Sequence, residues 1–436
     1  MRILIGNHID DSLLWQKDQR AFSQRILWFA QDGDIVILSC EPDPSFLEYV
    51  TSLAGVGRDT LEFLVVPPGG HGTRLFDPNS LLDPDFVAEV KRRIGDVSDV
   101  FALWPSAQVA EFAELLGIRE KLPGASFFAQ QGDELANNKG NFRAFAAALG
   151  VPVAEGAVCR TKEHAERVIA RLLRTGPVMV KQVHNGAGNG NEVLVCDDEL
   201  ATDHAGNNRR QRIEPGFFEV RDYLEARWNW ASVGGRFAVV VERFVPGART
   251  IYAEFEARDD GLAHTATGSL GYEHGRLVEE VTPLRGVTDA VLARLVHLGG
   301  RLAETYRAFG YRGFMSADAV VDQSGNLFFT EMNARVGASL HLYEGIGKRV
   351  VDQFRVPERS LIQLVTPKHW KVPGFDAFSR VTRELGVAFD PLTRKGVMAA
   401  MPFAGEPCAG GLLFCIAYET EREHHAIVAR LTERFG

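Results

Sequence analysis

Two acidic residues stand inside a pair of otherwise apolar strands, and no other feature of this 436-residue chain restricts its fold so tightly. The run from Gly313 to Arg335 reads GFMSADAVVDQSGNLFFTEMNAR. Ser324-Gly325 favours a two-residue hairpin turn, and that turn puts Asp318 directly opposite Glu331, with Asn333 two residues further along the same face. Cross-strand carboxylates about 5 Å apart repel by roughly 3 kcal/mol at an effective dielectric of 20. The apolar flanks give them little help from water. An oxygen-ligated divalent cation turns that repulsion into attraction, and two carboxylates with an amide oxygen suit Mg²⁺. The plain alternative is an exposed hairpin face with two ordinary acids. Arg335 falls near the same face. Beside a metal it repels unless phosphate or carboxylate oxygens lie between them, the arrangement that stabilises a phosphoryl group in transfer.

Three further pieces precede this hairpin. In Pro177-Val-Met-Val-Lys181, a lysine interrupts a strand of buried type, and a buried ammonium needs an anion or loses its proton. Gly186, Gly188 and Gly190 follow it, allowing backbone amides to approach phosphate oxygens. That loop joins strand to strand, so neither a Rossmann nor a Walker A geometry applies. Asn137 and Asn138 cap a helix over Lys139–Leu149, and an anion at its first turn would satisfy Lys139 and the free amides together. A solvated lysine and a flexible hairpin tip are the plain alternatives. The strand Phe237–Phe244 ends in Glu242, and its backbone just past that acid can read an adenine edge before Pro246 and Gly247 turn the chain.

Around these pieces the pattern is α/β followed by α+β. Strands Arg2–Gly6, Asp34–Leu38, Leu61–Val66 and Val97–Leu103 alternate with helical stretches such as Pro84–Ile94 and Ala107–Leu116, the form of a small open sheet. The expected divisions are 1–131, 132–368 with a lid over about 150–236, and 369–436, the last with strands Gly396–Met401 and Gly411–Tyr418 and a helix Glu421–Phe435. Ala201–Pro215 reads as a polar insertion, and Trp228 and Trp230 as either packing or lining an acceptor site.

Taken in order, Lys139, Lys181 with its glycine loop, Glu242-x-x-x-x-Gly247 and Asp318…Glu331-Met-Asn333-Ala-Arg335 resemble the ATP-grasp superfamily. The resemblance covers Lys139 to Arg335, preceded by the small α/β domain such ligases usually carry. It implies ATP and Mg²⁺ (Mn²⁺ as a substitute) as cofactors. Lys139 and Lys181 would bind phosphates, Gly186, Gly188 and Gly190 would close as a lid, and Glu242, Arg243, Phe244 and Val245 would form the adenine hinge. Asp318, Glu331 and Asn333 would hold the metal, with Arg335 and Lys181 catalytic. The activity implied is formation of an amide from a small-molecule carboxylate and an amine through an acyl phosphate. Domain order is similar to the pheganomycin-type peptide ligases, which join an amino acid to a peptide in antibiotic biosynthesis. A carboxylase or purine-type synthetase, and a ligase making free dipeptides, remain open. Many members have an acid after the hinge glycine for the ribose, whereas this chain has Ala248-Arg249-Thr250. His264, Glu279 and Glu280 lie where an acceptor could bind, and Arg285 could hold a substrate carboxylate; a place on the surface is the plain alternative for each.

Composition narrows the classes. With 48 basic and 57 acidic side chains, the net charge is −9, so a general affinity for nucleic acid is not expected. No apolar run reaches the roughly 20 residues of a membrane span, and the N-terminus lacks the apolar core of a signal peptide. The five cysteines form no CxxC pair and fit free thiols in a reducing cytoplasm. No HxxxH spacing supports a zinc site. A homo-oligomer is compatible with all of this.

Overall fold

A computed structural model of the protein describes residues 1–7, 18–186, 188–196, 210–214, 216–402 and 413–436. Most of the Ala201–Pro215 stretch, and Cys408, lie outside the described residues. These residues form two compact units, one of residues 1–132, 279–283 and 335–436, the other of residues 133–278 and 284–334. The expected boundary near residue 368 thus falls inside the first unit.

The first unit begins with a parallel sheet in the order Glu62–Val65, Ile35–Leu38, Arg2–Ile5, Asp99–Ala102. The Ile-, Leu- and Val-rich runs of its two central strands are almost entirely buried, as strands covered on both faces require. Asp43, Asp83 and Ser106 cap helices Pro44–Ala54, Pro84–Arg93 and Ala107–Leu116 with side-chain bonds to early amides. The C-terminal part adds antiparallel strands Ser360–Val365, Leu413–Tyr418 and Gly396–Ala399. It packs on the N-terminal part: Phe375 lies edge-on to Phe46 at 5.6 Å, and Trp28 Nε1 donates to the Ala400 carbonyl at 2.8 Å.

A buried polar chain runs through this unit. His341 bonds Gln363 at 2.7 Å, and Gln363 donates to Glu280 at 3.4 Å across paired strands. Burial, then the charge of Arg25, push the His341 pKa down to about 3 from an ordinary 6.5, with the Gln363 bond opposing. Between those values the unfolded chain binds a proton that the folded chain refuses. The contribution to stability is therefore complete above pH 6.5 and is lost as pH falls toward 3, at up to about 1.4 kcal/mol per pH unit. Denaturant unfolding at stepped pH should show this slope, and His341→Gln should flatten it.

The second unit holds two sheets. One, in the order Gly156–Cys159, Val239–Arg243, Val178–Gln182, Asn191–Val195, Arg210–Arg212, is antiparallel except for its last pair. Helices Lys162–Leu173 and Phe217–Ala231 cover it, with Ile169, Leu172, Leu224 and Trp228 in one apolar core that includes Val178, Val180 and Val241. Trp228 is thus a packing residue. The other sheet is antiparallel, Leu327–Asn333, Gly313–Val321, Arg249–Ala257, Leu262–Glu273, with helix Asp289–Ala308 against it.

Gly156 lies opposite Glu242 in the first of these sheets. A Cβ there would stand 2.3 Å from the Val241 carbonyl oxygen and 2.6 Å from the Glu242 Cα. Both are backbone atoms that cannot swing aside. Gly156→Ala should therefore cost about 1–3 kcal/mol in a denaturation midpoint.

Candidate active site

The hairpin turn differs from the expected one. Gly325 adopts φ +81°, its amide bonds the Asp322 carbonyl at 3.0 Å, and the Asp322 amide bonds Asn326 at 3.0 Å. The loop has three residues, the form that ends in a left-handed glycine. Alone this would shift the register by one, but a bulge after Asp318 takes up the extra residue, and Asp318 pairs with Glu331, Ser316 with Asn333. The acids therefore face each other by a different route. Asp318 accepts from Asn333 Nδ2 at 2.9 Å and from the Ser316 hydroxyl at 2.5 Å. On the neighbouring strand Tyr252 lies opposite Asp318 and the buried Glu254 opposite Ser316, extending the same polar face.

Lys139 is 7% exposed and is not the solvated lysine of the plain alternative. Its Nζ lies 2.8 Å from Glu331 and donates to the Asn185 carbonyl at 2.6 Å. The helix that carries it, Lys139–Ala148, starts where the sequence predicts, capped by Asn138 bonding the Gly140 and Asn141 amides. Asn137 exchanges hydrogen bonds with the Ala334 backbone, and the Lys139 amide donates to the Val183 carbonyl at 2.9 Å. The helix start is so fixed to the ends of strands from both sheets of this unit.

Lys181 is also buried, and its Nζ sits 2.6 Å from Glu242. Register explains the pairing: Met179 lies opposite Glu242, so Lys181 is its diagonal neighbour. Arg143 contacts the other oxygen of the same carboxylate and donates to the Ala154 carbonyl at 2.8 Å. Sequence reasoning missed Arg143, although it stands one turn beyond Lys139 beside the apolar Phe142 and Ala146. These three groups carry two positive charges against one negative, in a buried setting that favours an added anion.

The hinge segment is partly committed elsewhere. The Arg243 amide donates to Glu155 at 2.7 Å and the Phe244 amide to Pro177 at 3.0 Å, while the Arg243 guanidinium reaches Glu155 and Thr175. Phe244 packs on Met179, Val193 and Val195. Val245 is partly exposed before Gly247 turns with φ +65°. The glycine loop closes on itself: Gly188 has φ +75°, the Asn189 amide bonds the Gly186 carbonyl at 3.2 Å, and the Gln182 amide bonds the Gly190 carbonyl at 2.9 Å. Arg335 is the first residue of the last segment of the other unit, where its guanidinium stacks 4.6 Å over the Trp104 ring. Of the acceptor candidates, Glu279 and Glu280 belong to that unit too. His264 is exposed against Phe255, and the Arg285 carbonyl accepts from Arg249.

The donor set fits a hard divalent cation. Asp318 and Glu331 present carboxylate oxygens on one face, and Asn333 adds an amide that Asp318 already orients. The Lys139 ammonium presently supplies the positive charge Glu331 needs.

Comparison with known proteins bears on the fold. Residues 23–118 match the family model of the pre-ATP-grasp domain. A biotin carboxylase from Halalkalibacterium halodurans is 26% identical over 267 residues, 59% of this chain and 52% of that protein. The chain thus spans about half of that protein, and a quarter or so of the methylcrotonoyl-CoA carboxylase subunits it also matches. Among solved structures, an N5-carboxyaminoimidazole ribonucleotide synthetase from Thermus thermophilus superposes with a TM-score of 0.58 at 18% identity, covering 99% of this chain and 98% of that one. An L-amino acid ligase from Bacillus licheniformis gives a TM-score of 0.58 at 13% identity, covering 99% and 97%. No helix among the described residues is long and apolar enough to cross a membrane. The chain has the ATP-grasp fold, with a pre-ATP-grasp domain on its N-terminal side.

Proposed function

We propose that this protein is an ATP-dependent carboxylate–amine ligase that activates an amino acid as an acyl phosphate and joins it to the amino group of a peptide or second amino acid. The observation that carries the reading is the set of two buried lysines, each held on an acid, beside a sheet face bearing Asp318, Glu331 and Asn333.

A triphosphate offers both lysines better partners than they have. Lys139 would exchange Glu331, and Lys181 would exchange Glu242, for phosphate oxygens, with Arg143 keeping Glu242 neutralised. Asp318, Glu331 and Asn333 would hold Mg²⁺, or Mn²⁺ in its place, which supplies charge neutralisation on the phosphates when bound. The glycine loop at residues 186–190 would cover the phosphates and exclude water, and the backbone at Glu242–Val245 would hold the base. The role of Arg335, stabilising charge on the transferring group, rests on the family resemblance alone. No side chain need act covalently, because positioning and charge stabilisation account for most of such catalysis. The carboxylate oxygen attacks the γ-phosphorus, ADP leaves, and the amine then displaces phosphate and loses its proton to form the amide.

A second reading is favoured by the biotin carboxylase likeness: bicarbonate as the activated carboxylate, with a ring or biotin nitrogen as acceptor. Specialised metabolism and a peptide acceptor rest on the pheganomycin-type resemblance alone. The separating experiment is phosphate release from Mg-ATP with amino acids and peptides singly and in pairs, with and without bicarbonate, and mass analysis of products. A new amide whose formation ignores bicarbonate supports the ligase. Phosphate release that needs bicarbonate and no amino acid supports the carboxylase.

A further inference from the structure

We propose that Glu421, His424 and His425 form a divalent-metal site of the zinc class at the start of the C-terminal helix, in the unit that does not carry the lysines. Each residue offers one ligand atom, and the three atoms all lie within 4.8 Å of one another. Helix geometry brings them together: His424 and His425 follow Glu421 by three and four residues, the spacings that share a helix face.

Two observations point to a cation rather than an ordinary acid–histidine pair. His424 is 7% exposed, and its Nδ1 stands 3.1 Å from Glu421 Oε2, at ion-pair distance but without the alignment of a hydrogen bond. Two such atoms attract only with a proton or a metal ion between them, and the poor alignment for an N–H bond favours the ion. Neighbouring ligands of one tetrahedral ion, with bonds of about 2.0–2.1 Å, are separated by about 3.3 Å. The second observation is the support of the carboxylate. Tyr418, 1% exposed at the end of strand Leu413–Tyr418, donates its hydroxyl to Glu421 Oε1 at 3.2 Å and packs its ring 5.0 Å from that of His424. This bond leaves Oε2 aimed at His424 and orients the ligand from outside, as the surroundings of metal sites do.

Two imidazoles and one carboxylate select zinc, nickel, cobalt or copper over magnesium. The positive end of the helix opposes a cation there, and the Glu421 charge offsets it. The remaining positions would be filled by water. A bound ion would tie the first turn of the helix to the strand before it. The absence of HxxxH spacing hid this site, because its pattern is Glu-x-x-His-His. The inference does not depend on the ligase reading.

The test is a zinc titration of the full-length protein against a chromophoric chelator, with excess Mg²⁺ present to occupy the oxygen-ligand face. One equivalent of Zn²⁺ should bind, and Glu421→Gln and His425→Ala should each weaken it at least about tenfold. Both residues are exposed, so neither change should unfold the helix. His71→Ala, at another exposed histidine, should leave the affinity unchanged. Failure to bind an equivalent of zinc, or binding that both substitutions leave intact, overturns the proposal.

Discussion

Replacing Glu331 by glutamine should lower turnover on the order of a thousandfold while the protein stays folded. The substitution keeps the size of the side chain and its place on the hairpin but removes one of two facing carboxylates. A divalent ion that balanced two negative charges would then meet one. Lys139 loses its charged partner, yet it keeps the Asn185 carbonyl at 2.6 Å. Glu331 is 26% exposed, so losing this pair should change stability by no more than about 1 kcal/mol. Steady-state phosphate release and a thermal melt separate the two effects. A variant with wild-type turnover would remove Glu331 from the metal set.

Glu242→Gln should act in the opposite way, through stability first. Its carboxylate is 6% exposed and is shared by Lys181 and Arg143, whose side chains are 8% exposed each. Removing one member of a buried ion cluster strands the others, at a cost of about 3–5 kcal/mol. Here two cations are stranded on adjoining elements, the strand Val178–Gln182 and the helix Lys139–Ala148. Saturating ATP should recover part of the loss, since phosphate oxygens restore an anion to Lys181. Chemical denaturation with and without nucleotide measures both numbers. By contrast Glu155, half exposed between Arg171 and Arg243, should be nearly silent when replaced by glutamine.

The facing pair Asp318 and Glu331 was legible because strand side chains alternate and an acid inside an apolar run has few other reasons to be there. The route to it was not legible. The expected two-residue turn is a three-residue loop, and the bulge after Asp318 returns the register. A local turn preference cannot report a bulge set by packing further along the strands. Lys181 is legible as a buried cation, but its partner Glu242 reads as a strand end that opens the adenine hinge, and Arg143 is not singled out at all. Arg143 and Glu242 are 99 residues apart, and nothing local marks a helical arginine as buried. The same limit hid the packing of Trp28 against Ala400, 372 residues away. Sequence periodicity gives elements and faces; which faces meet is settled by contacts of long range.

In the proposed reaction ATP activates the carboxylate of an amino acid. The most direct measurement of this step is the fate of a heavy-oxygen label placed in that carboxylate during turnover with Mg-ATP and an amine acceptor. ADP should be the nucleotide product, with one labelled oxygen in the phosphate released with each amide formed. Unlabelled phosphate, or AMP with pyrophosphate, would contradict it.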